Sequence, residues 1–214
     1  MINKLSPLPK FLVNRYKDWK TNIYVKNINW FKKMALEGQS PKAMVISCCD
    51  SRVHVTSIFG ADEGEFFIHR NIANLIPPFS PDGDHHGTSA AIEYATKELK
   101  IPHIILLGHT GCGGIKSGHH LHSNTTRHNY FFINKWLNIL LPAFNNISKN
   151  ITEKEQIQLL EQESIKISIK NLFDFPDIRE SVENKTLSVH GLIHDIGSGN
   201  LKFLNPSTKQ FEII

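Results

Sequence analysis

The chain is expected to be one α/β domain over residues 1–214, with a mostly parallel central sheet flanked by helices. Three observations predict this. Short apolar runs alternate with stretches of helical periodicity, the pattern that βαβ units leave in a sequence. Two of those runs end in glycine-rich or polar turns that carry soft metal ligands, as expected at the carboxyl edge of such a sheet. The composition is 40% hydrophobic and 21% charged over 214 residues, enough for one filled core, and no repeat, low-complexity run or linker divides it.

In order, residues 10–38 carry Phe11, Leu12, Tyr16, Trp19, Val25, Ile28, Trp30, Phe31 and Met34 at rough helical spacing, closed by Gly38. They read as two helices. Trp19, Trp30 and Phe31 have no evident partner within the chain, so residues 1–38 are expected to be a helical arm that packs on a second subunit. Gln39-Ser40-Pro41 turns the chain into a buried strand from Ala43 to Ile46. A short helix is expected over Val53 to Phe59 and a second strand over Glu65 to His69. Pro77 to Gly87, with His85 and His86, is loop. Gly87 or Thr88 opens a helix reaching about Leu99, and Ile101 to Leu107 is the third strand.

After a brief helix from Ile115, His119-His120-Leu121-His122-Ser123-Asn124 reads as a polar loop. Phe131 to Ala143 and Thr152 to Phe173 read as helices, the second with Glu153, Glu155, Glu161 and Glu163 outward and Ile157, Leu160, Ile165, Ile169 and Leu172 inward. Pro176 opens another short helix. Thr186 to His194 is a fourth strand, paired with Leu201 to Leu204 across a Gly197 to Asn200 turn.

The formal charge of +4 comes from 24 Lys plus Arg against 20 Asp plus Glu, spread along the chain. That is too weak and dispersed a bias for nucleic acid. Only three cysteines are present, two of them adjacent, which excludes a disulfide framework. No signal-peptide core and no apolar run of membrane-spanning length is found, so a reducing cytoplasmic setting is expected.

The chemistry gathers at two strand ends. Ile46-Ser47-Cys48-Cys49-Asp50-Ser51-Arg52-Val53 follows the first strand, and Gly108-His109-Thr110-Gly111-Cys112-Gly113-Gly114 follows the third. Cys48 alone would pass for a small core residue. Together Cys48, His109 and Cys112 make a Cys₂His set that suits zinc and leaves a fourth position free. Alternation along an extended chain turns Cys49 away from Cys48, while Asp50 and Arg52 share its side. The arginine fork can hold the carboxylate ionised. Arg70 and Asn71 suit either an anion or a tied-down loop. His119, His120, His122 and His128 read as solvated loop residues rather than as a second metal site.

These motifs resemble the β-class carbonic anhydrases over nearly the whole chain. The carriers are the Cys48 to Val53 run, Arg70-Asn71-Ile72-Ala73-Asn74, Gly87-Thr88-Ser89-Ala90-Ala91-Ile92-Glu93-Tyr94, the Gly108 to Gly114 run and His190-Gly191. The resemblance implies one zinc per chain on Cys48, His109 and Cys112, an Asp50 and Arg52 dyad, and a homodimer or higher homo-oligomer. Gln39, Phe67 and Tyr94 match the plant-like branch, in which the glutamine comes from the neighbouring subunit. Val45 stands where the bicarbonate-regulated branch has tryptophan, and Cys49 stands where serine is common. Phe67, Ile72 and Tyr94 are then expected to line an apolar pocket for CO₂, with Gln39 on the product.

The implied reaction is reversible hydration of CO₂ to bicarbonate and a proton. A structural zinc module would need a fourth Cys or His, and only the outward-facing Cys49 is at hand. A non-catalytic homologue serving as a sensor would differ in lacking hydration by the zinc-loaded protein.

Overall fold

A computed structural model describes residues 5–82, 86–125 and 129–214; His85 and His128 lie outside them. The chain divides into two compact units, Met1–Ser40 and Pro41–Ile214. In the first, α1 (Lys10–Trp19) continues through a π-helical stretch (Lys20–Tyr24) and a 3₁₀ stretch (Val25–Asn27) into α2 (Ile28–Glu37), and Gly38 ends α2 at φ 75°. Trp19, Trp30 and Phe31 do have partners inside this unit, contrary to the sequence reading. Phe31 packs edge-on against both tryptophans, at 5.7 and 4.8 Å between ring centres, and stacks on Tyr24. This cluster leaves no residue of α1 or α2 buried.

The second unit holds a six-stranded sheet in the order β2-β1-β3-β4-β5-β6. Its strands are β1 (Ala43–Cys48), β2 (Phe66–Asn71), β3 (His103–His109), β4 (Ser188–His194), β5 (Leu201–Leu204) and β6 (Phe211–Ile213). The first four in spatial order run parallel, and β5 and β6 are antiparallel. Every residue of β1 is buried, as a parallel strand covered on both faces requires. Met44 and Ile46 face a core with Ile92, Ile104, Leu106, Ile165 and Leu172. Val45 faces the other side with Val53, Val55, Leu107 and Leu192.

Helices α3 (Val55–Phe59), α4 (Gly87–Glu93), α5 (Gly113–His122), α8 (Glu153–Phe173) and α9 (Pro176–Glu183) follow the expected order. The stretch expected as one helix over Phe131 to Ala143 is broken into α6 (Ile133–Leu137), a tight turn and α7 (Leu141–Asn146). Pro142 explains the break, since it has no amide proton and its ring crowds the carbonyl four residues back. Strand β6 had no warning in the sequence, because three residues are too few for an alternating pattern.

Helix α8 is anchored by a reciprocal cap between Thr152 and Glu155, which satisfies two amides of its first turn. It lies directly on the sheet: a Cβ on Gly191 would meet Ile165 Cγ2 at 2.7 Å. No helix among the described residues is long and apolar enough to cross a membrane.

Strand order positions the site. From β1 the chain moves to β2 on one side, then returns past β1 to β3 on the other. The crevice between the carboxyl ends of β1 and β3 is therefore the point where the winding reverses, the place open α/β sheets use for ligands. Ser47 pairs with Leu107, so Cys48 and His109 emerge side by side into that crevice.

Candidate metal centre and active site

Cys48 ends β1, His109 ends β3, and Cys112 precedes the first residue of α5. The turn between the last two needs a left-handed residue, and Gly111 supplies it at φ 67°. One donor atom from each of Cys48, His109 and Cys112 lies within 4.8 Å of the others, and all three residues are buried. The two sulfurs are 3.8 Å apart. Two thiolates on a tetrahedral zinc, with bonds of about 2.3 Å, are separated by about 3.8 Å.

The histidine is prepared in the same sense. His109 Nδ1 lies 3.0 Å from the Thr110 carbonyl, so that nitrogen carries the proton and donates. This leaves the Nε2 lone pair, which is buried with no hydrogen-bond partner. An orphaned acceptor facing two sulfurs is costly unless a cation sits there. The donor set and its geometry fit zinc.

Hydrogen bonding from Cys112, with the backbone amides of Asp50 and Ala73, draws the Cys48 thiol well below its usual range against the cost of burial. Cys112, whose proton serves that bond in a buried setting, is pushed up.

Asp50 and Arg52 meet as expected, but by a different route. They lie beyond β1, in a turn closed by the Val53 amide on the Asp50 carbonyl at 3.1 Å. Strand alternation therefore does not align them. The Asp50 carboxylate does so, accepting from the Arg52 backbone amide at 3.0 Å, from Nε at 2.9 Å and from Nη2 at 2.6 Å. Arg52 Nη2 also donates to the Gly111 carbonyl at 3.0 Å, tying the dyad to the loop between His109 and Cys112. The Arg52 bonds hold the Asp50 carboxyl far below the usual carboxylate range. Asp50 Oδ2 is 3.9 Å from His109 Nε2, beside the donor cluster without joining it.

Arg70 and Asn71 resolve as loop ties. Arg70 donates to the Val53 and Asp50 carbonyls, both at 2.8 Å, fixing the backbone that presents the dyad. Asn71 exchanges hydrogen bonds with the backbone of Leu75. Ile72 begins the tight turn that follows, and its carbonyl accepts from Trp136 Nε1 at 2.8 Å. The exposed Cys49 faces a recess it shares with Ile72, Thr88 and Trp136, away from the donor cluster.

Phe67 and Tyr94 pack against each other with ring centres 5.8 Å apart, but not at the mouth of the site. Phe67 pairs with Met44, whereas Asn71 pairs with Cys48. Four strand residues separate the two levels, about 13 Å. Of the expected pocket residues, Ile72 is the nearest in register to Cys48, following Asn71, which pairs with Cys48. Gln39 belongs to the first unit.

Glu161 corrects the sequence reading. It is 5% exposed rather than outward, and its carboxylate accepts from the Cys112 amide at 3.0 Å. Burial pushes its pKa up, against the pull of the Cys112 and Gly111 amides. The signal was present: Glu161 lies four residues from both Ile157 and Ile165, on the inward stripe of α8.

The profile of the family described as carbonic anhydrase matches residues 43–201. Beta carbonic anhydrase 3 of Arabidopsis thaliana is 35% identical over 200 residues, covering 92% of this chain and 76% of the relative. The solved structure of the β-carbonic anhydrase CcaA superposes with a TM-score of 0.84 at 26% identity, covering 96% of this chain and 91% of that one. A β-carbonic anhydrase from the ascomycete Sordaria macrospora, one of two described as tetrameric, gives a TM-score of 0.76 at 33% identity, with 91% and 95% covered.

Proposed function

This chain belongs to the carbonic anhydrase family, in its β class, and from that premise we propose which of its residues carry the family's zinc-dependent reaction, the reversible hydration of carbon dioxide to bicarbonate and a proton. The observation that carries the assignment is the buried donor set: two sulfurs 3.8 Å apart beside an imidazole nitrogen with no partner. Cys48, His109 and Cys112 would hold the zinc. Bound there, the metal supplies a Lewis acid that lowers the pKa of a water toward neutrality, less strongly than in the unrelated three-histidine carbonic anhydrases because thiolates donate more charge.

The chain's own residues do the rest. Asp50 stays ionised and accepts a hydrogen bond from the nucleophilic water, so that the oxygen's remaining lone pair faces the carbon of CO₂. Arg52 keeps that carboxylate in orientation and away from the metal. Glu161 fixes the Cys112 backbone. Ile72 presents apolar surface, which suits a substrate with no net dipole.

Because Phe67 and Tyr94 sit about 13 Å along the sheet from their own centre, we place them, with Gln39, in the site of a neighbouring copy. The arm over residues 1–38 packs on that copy in a homodimer or higher oligomer, in line with the plant-like branch. Three free cysteines support a reducing, cytoplasmic setting. The test is stopped-flow CO₂ hydration by the zinc-loaded protein. Activity should vanish on chelation and return with zinc, and absence of hydration at one zinc per chain would favour a sensor instead.

A further inference from the structure

We propose that His119, His120 and Glu153 form a second site for a divalent cation of the zinc type, distinct from the centre on Cys48, His109 and Cys112. His119 and His120 lie in the last turn of α5, and Glu153 opens α8. From Cys112 to this turn is about 10 Å of helix rise. One donor atom from each of the three residues lies within 4.8 Å of the others. Two imidazoles and a carboxylate are an established zinc donor set, and an open fourth position suits a site at the surface.

The state of His119 supports a ligand role. It is 3% exposed, and its Nε2 is 2.8 Å from Gln156 Oε1. The Gln156 amide nitrogen donates to the Lys149 and Ile151 carbonyls, which fixes the amide with its oxygen toward the ring. His119 Nε2 must therefore carry the proton, and the Nδ1 lone pair is left. That Nδ1 is buried with no hydrogen-bond partner. An imidazole whose far nitrogen is held by an amide oxygen while its lone pair stands unused is the usual condition of a metal-ligating histidine.

The remaining two ligands provide access. His120 Nε2 and Glu153 Oε1 are 2.9 Å apart, with side chains 21% and 53% exposed. A cation arriving from solvent would replace their contact and tie the end of α5 to the start of α8. His119 and His120, expected as solvated loop residues, are helical, and His119 is interior.

The test begins with wild-type protein carrying its first zinc, dialysed to equilibrium against increasing free Zn²⁺, with metal measured per chain. A second zinc is expected, accompanied by a rise in melting temperature, because a ligand that binds only the folded state stabilises it. His120→Asn and Glu153→Gln should each retain the first zinc and CO₂ hydration. Each should bind the second zinc at least about tenfold more weakly, without the rise in melting temperature. Retention of the first zinc reports that a variant is folded. Wild-type protein that stays at one zinc per chain, or folded variants that take up the second as the wild type does, would overturn the proposal.

Discussion

Arg52 grips both oxygens of Asp50, with Nε on Oδ1 at 2.9 Å and Nη2 on Oδ2 at 2.6 Å. The same Nη2 reaches the Gly111 carbonyl. The carboxylate that lies 3.9 Å from His109 Nε2 is thus held in place by a residue anchored to the metal-binding loop. Arg52→Ala should keep zinc but lose CO₂ hydration by about a hundredfold or more, because the freed carboxylate can swing onto the metal or lose its orientation. Asp50→Asn should also keep zinc and be slow, since an amide can donate where the carboxylate only accepts. Stopped-flow hydration against pH separates them. Arg52→Ala should recover partly at high pH, where hydroxide competes with the carboxylate, and Asp50→Asn should recover little.

The dyad should not set the acid limit of the enzyme. Asp50 has a folded pKa well below its ordinary value of 3.8. Its ionised form therefore stabilises the fold fully above the unfolded value, and that contribution is lost only as pH falls through the lowered one. The bond between the two sulfurs lowers the Cys48 thiol and raises the Cys112 thiol, so without metal the pair should keep one proton at neutral pH. Zinc binding should displace about one proton per chain from the thiols rather than two. Calorimetry of zinc binding at mildly alkaline pH, in buffers of different ionisation enthalpy, gives that count.

Glu161 is expected to matter through Cys112. Replacing it by Leu leaves the Cys112 amide without its acceptor, at a cost of about 1–3 kcal/mol, and should weaken zinc binding by about 10–100-fold. Glu161→Gln keeps an acceptor oxygen and should restore most of the affinity. Competition with a chromophoric chelator distinguishes the two variants.

The arm is the other dependence. Deleting residues 1–36 should abolish both assembly and activity while leaving the zinc-binding unit, Pro41–Ile214, with its own core. Sedimentation and hydration measured on one sample decide this, and an active monomer would refute it.

Much of this was legible in residue types and spacing. The β1 and β3 apolar runs, the donors at their ends and the Asp50 and Arg52 pair could be read because each belongs to a short local pattern. Relations between distant segments could not. That Arg70 ties the dyad loop, or that Glu161 turns inward to Cys112, depends on how β2 and α8 are placed on the sheet. Period-2 alternation misled beyond Cys48, where the chain leaves the strand and an aspartate turn takes over. Phe67 and Tyr94 are expected beside Ile72 in one pocket by motif, yet their distance from Cys48 emerges only from strand register.

The central claim is that Cys48, His109 and Cys112, and not Cys49, hold the tightly bound zinc. It is tested most directly by metal analysis of purified Cys48→Ser, Cys49→Ser and Cys112→Ser proteins after dialysis against zinc-free buffer. Cys49→Ser should retain one zinc per chain and the other two should lose it. Zinc lost from Cys49→Ser and kept by Cys48→Ser would contradict the assignment.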